Sequence, residues 1–385
     1  TNMTTEIIKN FEALYPGLSI EVEYAGFSDY FTKLNTQAAG GQLPDVIQMD
    51  YSQITSFAEN NLLVDLTNYI NDGTLDMSNV DKSLLSGGIV NGGMYGICAG
   101  VNAPCILYDA SILEKANVTL SITPTWSEFL DASQKVYKAT GIKNYCMSSS
   151  FINYLDMYVR SLGATVFAAD GKSVGFTPEM LAQLWDYQLT AIEDGCALEP
   201  GEYTGEENAV IGKGYSWAVH ASTNNLATFE KTNGDIALTI ACHPIADNAT
   251  EPKATYIKPS QLWSVTSISK VQDLAAAYIN YFTNEISVYD ICGANRGIPI
   301  SSVVREHLNA GASKADQKVN MFIDFLSNGN STPISPAAPS AGSEAITVIN
   351  TYFEQMWYKQ FSHDKLLEVA QKVVNEMNAI LGAAK

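Results

Sequence analysis

The stretch YFTKLNTQAAGGQLPDVIQMDYSQITSFAENNLLVDLTNYI, residues 30–70, constrains the fold more than any other part of the chain. It reads as a helix stopped by Gly40-Gly41, a short buried strand at Val46-Ile47 led in by Pro44, and a polar loop. A second helix over roughly 53–60 and a further strand follow. Upstream, Met3, Ile7, Ile8, Phe11 and Leu14 recur at helical spacing until Pro16-Gly17 ends the run. Leu18, Ile20, Val22 and Tyr24 then alternate with polar residues, the pattern of a strand with one face more buried. Strand, helix and strand with short connections predict a parallel sheet with right-handed crossovers. Ligands of such sheets bind beyond the carboxyl ends of the strands, so residues 25–29 and 50–53 are predicted to face a crevice.

The rest of the chain is also α/β. Residues 94–109 (MYGICAGVNAPCILYD) have strand character, and Pro124-Thr125-Trp126-Ser127-Glu128 opens a helix running to about Ala139. Thr177 is placed to cap a helix with Pro178 in its first turn, and Leu181, Leu184, Trp185, Leu189 and Ile192 form one apolar stripe. Residues 265–282 read as strand then helix, 331–342 as a loop, and 344–381 as helix broken near Phe361-Ser362.

At 385 residues the chain is long for one core, which favours two lobes. A net charge of -19 argues against nucleic acid and against an anionic membrane surface as partners, and says little about a small neutral ligand. No apolar run has the length of a spanning helix and no signal peptide is seen. The chain starts at Thr1 inside a helical pattern, so an export signal is expected to have preceded it. The six cysteines, Cys98, Cys105, Cys146, Cys196, Cys242 and Cys292, show no CxxC or zinc-like spacing. Their apolar contexts, such as IALTIACHPI around Cys242, predict buried free thiols, which suit a reducing or anaerobic habitat.

In order, the segments FEALYPGLSIEVEY, LPDVIQMD, AENNLLVDLTNYI, MYGICAGVNAPCILYDASILEKA, PTWSEFLDASQKV, ENAVIGKGYSWAVHAS, LWSVTSISKVQDLAAAYINYFTN and GIPIS line up with a known group. The chain resembles family 1 of the extracellular solute-binding proteins of ABC transporters, the carbohydrate-binding, maltose-binding-protein-like group. That resemblance implies an α/β, two-lobe, type II periplasmic-binding-protein-like fold with discontinuous lobes, 1–104 plus 262–307 and 105–261 plus 308–385. Crossing strands are placed near 102–107, 257–261 and 303–311. Ligand sits between the lobes, which close on it by a hinge. A ligand that touches both lobes favours the closed state, so loaded and empty protein differ in shape. The implied function is capture of a mono- or oligosaccharide and its delivery to the permease subunits of an ABC importer, without catalysis, cofactor or metal. The protein is expected to be a monomer outside the membrane, either periplasmic or lipid-anchored at a Gram-positive-type surface through a cysteine absent from this chain.

A sugar presents flat C–H faces to aromatic rings and hydroxyls to polar side chains. Trp217, in GKGYSWAVHAS, matches a family position that contributes a stacking tryptophan, and Trp263 lies at the second crossover. Asp50, Tyr51 and Gln53 follow the second strand, Asn102 lies on the first crossover, and Arg296 precedes GIPIS. Phe27 and Asp29 follow the first strand, Tyr154 and Asp156 follow Ser148-Ser149-Ser150, and Glu344 lies in a matching loop. All twelve are expected ligand contacts. Trp126 and Trp185 are expected to pack, Asp45 to satisfy backbone donors, and Trp357-Tyr358 suits either role.

Other readings compete. Gly214-Tyr215-Ser216-Trp217-Ala218 approaches a nucleophile elbow with Ala for the last Gly, but His220, His243, His307 and His363 show no telling spacing to Ser216. A glycosidase would need two carboxylates across a cleft. Asn71-Asp72-Gly73 and Asp76 form an acidic turn without the spacing of a calcium loop. A polyamine, peptide or metal receptor is the remaining alternative.

Overall fold

Local sequence rules set most helix boundaries in the computed structural model, which describes residues 2–145, 151–335, 338, 339 and 341–383. The side chains of residues 2, 27 and 28 are not included in that description, and Ser148, Ser149, Ser150 and Cys146 lie outside the described residues. Contacts divide the chain into two units, Thr1–Asn102 with Lys258–Ser313 and Ala103–Ile257 with Lys314–Lys385.

In the first unit, helix α1 (Asn2–Leu14) precedes α2 (Phe27–Ala39), which ends on Gly40 and Gly41, the latter at φ 63. Only glycine adopts that left-handed turn without strain. Strand β1 (Val46–Met49) leads through Asp50 into α3 (Tyr51–Glu59). Strand β2 (Ile97–Asn102) ends the unit's first segment. The three-stranded sheet is completed by β7 (Lys258–Val265), which lies between β1 and β2 and is antiparallel to both. Helix α7 (Gln272–Asn284) buries Tyr278, Ile279 and Phe282, with Tyr278 and Phe282 edge-on to Trp263 of β7.

Three expectations fail here. β1 and β2 run in the same direction, but β7 separates them, so the sheet contains no parallel pairing among the described residues. Residues 18–24, expected to be a strand, carry no ladder. Val22 and Tyr24 stand 38% and 52% exposed. The third expected crossing strand is also absent, because residues 302–309 form helix α8 (Ser302–Asn309).

The second unit is built on β3 (Pro104–Tyr108), β4 (Lys143–Tyr145), β5 (Ser216–Ser222) and β6 (Thr239–Ala241), in the order β4-β5-β3-β6. β5 is antiparallel to β3 and parallel to β4. Helix α4 (Trp126–Thr140) starts at a capping box between Thr125 and Glu128, and α6 (Pro178–Glu193) at the Thr177 cap with Pro178 in its first turn. With α5 (Phe151–Ser161), α9 (Gly342–Trp357) and α10 (Leu366–Ala383) they enclose a core whose largest fully buried side chains include Trp185, Trp217, Tyr154 and Tyr158. Each such side chain is worth about 1.5–3 kcal/mol in removed apolar surface. The five described cysteines are buried and free, and burial pushes the Cys98 and Cys196 thiols up to about 12.

Candidate ligand-binding residues

In the first unit the polar groups gather where a glycine-rich contact ties a late loop to β2. Val101 and Ile298 exchange backbone hydrogen bonds of 2.8 and 2.9 Å. A Cβ on Gly100 would lie 2.3 Å from the Arg296 carbonyl oxygen, and Gly297, at φ 98, lies against the Gly100 backbone. Ser260 Oγ donates to the Gly100 carbonyl at 3.0 Å and also contacts the Arg296 carbonyl. The missing side chains at 100 and 297 are what let the loop sit this close, and the loop fixes Arg296.

The half-buried Arg296 guanidinium reaches Gln48 Oε1 and Thr4 Oγ1, each at 3.4 Å, at the outer limit of hydrogen-bond distance. No carboxylate pairs with it among the described residues. Two residues of β2 beyond Gly100 comes Asn102, whose Oδ1 is buried with no partner among the described residues. A buried acceptor left unpaired costs about 1–3 kcal/mol, so Asn102 has bonding capacity to spare, and the Arg296 fork is held only by two long contacts.

Arg296 also borders a cavity of about 680 Å³ lined wholly by the first unit. Its lining includes Phe11, Leu34, Trp263 and Tyr278 together with residues of β1 and of 18–24. Trp263 is 7% exposed and wedged between Tyr278 and Phe282, so its ring is a core element with one edge on this cavity. Asp50 caps α3, accepting from the Ser52 amide at 2.9 Å and the Ser52 hydroxyl at 2.6 Å. Tyr51 and Gln53 are half-buried on the first turn of that helix, and Asp29 is exposed in the first turn of α2. Phe27 begins α2, and nothing further is described for its side chain. Asp45 accepts from the Ser269 hydroxyl at 2.6 Å rather than from backbone amides.

In the second unit several expected contacts are core. Trp217 has no exposed surface and packs on Phe129 (ring centroids 5.1 Å apart) and edge-on to Tyr108. Its place on β5 points it into the helical layer, so stacking on a sugar face is corrected to core packing. Tyr154 is equally enclosed, edge-on to Trp126, His220 and His243. Asp156 is paired with Arg160 at 3.0 Å, and burial raises its carboxyl despite that guanidinium. Arg160 in turn holds Thr332 Oγ1 at 3.1 Å, the Pro333 carbonyl at 2.7 Å and Ser335 Oγ. This is a clamp on residues 332–335, and it employs Asp156 structurally. Glu344 is exposed in the first turn of α9. Trp357 donates its indole N–H to the Leu198 carbonyl at 2.9 Å.

Sequence reasoning missed a polar cluster here. His220 on β5 and His243 just after β6 meet at 2.7 Å, and the other His220 nitrogen lies 3.2 Å from Asn153 Nδ2. Burial lowers His220 to about 4 and His243 well below its ordinary value, with each other's charge adding to the effect at His243. The only cue was a histidine interrupting the apolar run SWAVHAS. Gln48 was missed likewise, as a polar residue inside VIQM.

The near-elbow is not one. Ser216 is fully buried and its hydroxyl donates to the Ala218 carbonyl at 2.5 Å. Asp72 and Asp76 of the acidic turn close local loops to Thr74 and Ser78 amides, each at 2.9 Å. Among the described residues no group of His, Cys, Asp and Glu could hold a metal, and no helix is long and apolar enough to cross a membrane.

The paired α/β units define the architecture of two-lobe periplasmic solute-binding proteins. A solved extracellular solute-binding protein of family 1 from Alicyclobacillus acidocaldarius superposes with a TM-score of 0.87 at 28% identity, covering 99% of this chain and 95% of that one. The sequence profile of the bacterial extracellular solute-binding proteins matches residues 6–321, and the chain belongs to that family. A Brucella abortus (strain 2308) protein that carries a binding-protein name is 26% identical over 203 residues, 51% of this chain and 47% of that one. The arabinooligosaccharide-binding protein of Bacillus subtilis (strain 168) is 25% identical over 141 residues, 35% of this chain and 32% of that one. The chain thus spans about half the length, or less, of these curated relatives.

Proposed function

We propose that this protein is a carbohydrate receptor: it captures a mono- or oligosaccharide and delivers it, chemically unchanged, to the permease subunits of an ABC importer. The carrying observation is two polar groups tied to the end of β2: the Arg296 guanidinium, held by 3.4 Å contacts to Gln48 and Thr4 and by no carboxylate among the described residues, and the buried Asn102 Oδ1, without a partner among them. A fork of N–H donors and a lone amide acceptor each suit sugar hydroxyls, which both donate and accept. Membership of a binding family supports the absence of turnover, and the sealed Ser216 fits it. The oligosaccharide named for the Bacillus subtilis relative supports the ligand class. Tyr51, Gln53, Asp29 and Glu344 remain in the proposed contact set, and Asp50 joins it through the carboxylate oxygen that its capping bonds leave over. Hinge closure on the ligand, action as a monomer outside the membrane and lipid anchoring belong to the same reading.

A thermal-shift screen over mono- and oligosaccharides tests it, because a ligand that prefers the native state raises the melting temperature. Calorimetry on the best sugar should then show Arg296→Ala and Asn102→Ala weakening binding about 10- to 100-fold, the worth of one or two bonds to polar or charged groups. Small-angle scattering with and without that sugar reads the closure. A flat screen across the sugars, with a shift from spermidine or a peptide instead, would replace the ligand class.

A further inference from the structure

Two of the buried thiols sit on neighbouring strands of the second unit. β3 and β6 pair antiparallel, with Tyr108 opposite Thr239, Leu107 opposite Ile240 and Ile106 opposite Ala241. The same register carried one step further sets Cys105 opposite Cys242, on one face of the sheet. Both are closed to solvent, at 0% and 1% exposure. Burial raises the Cys105 thiol, and the charge of Cys242 adds to the rise, which marks the two sulfurs as neighbours.

The pairing is of the kind that brings side chains together. The Cys242 amide donates to the Ile122 carbonyl at 2.8 Å rather than to β3, so Cys105 and Cys242 form a non-hydrogen-bonded pair. Cα atoms in such pairs lie about 4.5 Å apart, within the span of about 4.4–6.8 Å that a disulfide bridges. Cys98, Cys196 and Cys292 are engaged differently: each thiol donates to a backbone carbonyl, at 3.0, 3.3 and 3.5 Å.

We propose that Cys105 and Cys242 are a redox pair: a low-molecular-weight disulfide such as oxidised glutathione converts them to a cross-strand disulfide that fastens β6, the edge strand of the sheet, to β3. Burial raises the Cys242 thiol too, but the Thr255 and Thr123 hydroxyls beside it favour its charged form, so Cys242 is the attacking sulfur. Its thiolate attacks one sulfur of the reagent and expels the first thiolate. The Cys105 thiolate then attacks Cys242 Sγ in that mixed disulfide and expels the second. Two electrons pass to the reagent, which leaves as two thiols with both protons. Access comes from fraying of β6, which has three residues and lies at the edge of the sheet. Oxidising surroundings close the pair, and reducing ones leave it as two thiols.

The full chain tests this without any sugar. Reduced protein is incubated with oxidised glutathione, once in plain buffer and once in urea below the unfolding transition, which increases fraying. It is then unfolded, alkylated and mapped by mass spectrometry. Cys105 and Cys242 should be joined, faster in urea, with Cys98, Cys196 and Cys292 alkylated. The oxidised form should melt about 5 °C or more above the reduced one, because the bond closes a long loop of the unfolded chain, and dithiothreitol should reverse the shift. Cys105→Ala and Cys242→Ala should each abolish both the link and the shift. Finding both thiols alkylated in both arms, or either joined to another cysteine, would overturn the inference. So would a 105–242 bond that leaves the melting temperature unchanged or lower, since the native register then does not suit it.

Discussion

His220 Nδ1 and His243 Nε2 lie 2.7 Å apart, so one ring must donate and the other accept, and the native pair is neutral. Tyr154 closes over both rings, and Asn153 is the polar neighbour on the His220 side. His243 Nδ1 is buried without a partner among the described residues, which leaves no outlet for a second proton there.

The pair makes the second unit acid-sensitive. Unfolded histidine binds its proton near pH 6.5, whereas native His220 resists until about pH 4 and burial likewise holds His243 well below its ordinary value. The unfolded state therefore takes up more protons as pH falls, and stability that is complete above pH 6.5 declines through the interval down to about 4. Across those roughly 2.5 pH units one proton is worth about 3 kcal/mol. Denaturant titrations at pH 7, 5.5 and 4.5 should show His243→Gln flattening the decline relative to the native protein. Parallel slopes for both would show that the pair does not titrate this way.

Trp217 is predicted to be a folding residue. Trp217→Ala should cost about 3–5 kcal/mol of stability, the range for an emptied aromatic site in a core. Trp217→Phe should cost less, because it also removes an indole N–H that has no partner among the described residues. Calorimetric affinity for the screened sugar should be unchanged in Trp217→Phe. A tenfold loss in that well-folded variant would return the ring to the binding site.

Asp156 is predicted to act through Arg160. Removing its carboxylate leaves an 8% exposed guanidinium with only neutral acceptors, and breaking such a pair costs about 3–5 kcal/mol where no other partner remains. The Thr332, Pro333 and Ser335 contacts reduce that, so Asp156→Ala should destabilise by about 2 kcal/mol. Urea midpoints measure the loss. Sugar affinity should stay within twofold, and an affinity loss without a stability loss would contradict the clamp.

The helices were legible because their signals are local: Thr125 with Glu128, Thr177 with Pro178, Gly40 with Gly41. Strand pairing was not, because β7 joins the first unit's sheet from more than 200 positions away in sequence, and periodicity carries no information about such a partner. The same limit explains the site. Arg296 and Asn102 were legible as polar residues at loop–strand junctions, and the structure ties both to the end of β2. Trp217 and Tyr154 were not, since an aromatic residue on a strand or helix looks the same whether it faces a ligand or a core. Side-chain direction depends on which layer covers that face, and α4 and α5 supply the cover from elsewhere in the chain.

Gly100 should control affinity without touching ligand. Its Cβ would meet the Arg296 carbonyl, a backbone atom that cannot swing aside, so the loop must retreat from β2. Retreat weakens the Val101–Ile298 bridge and carries the guanidinium away from Gln48. Gly100→Ala should therefore weaken sugar binding about tenfold or more, because a displacement near 1 Å suffices to misalign a planar fork. Overpacking should cost about 1–3 kcal/mol of stability, which the protein can lose and stay folded at 25 °C. Arg296→Lys provides the comparison: it keeps the charge and removes the fork, so it should weaken binding by a similar factor with little loss of stability. If Gly100→Ala lowers the melting temperature but leaves affinity intact, the close approach serves folding alone and Arg296 is not held for the ligand.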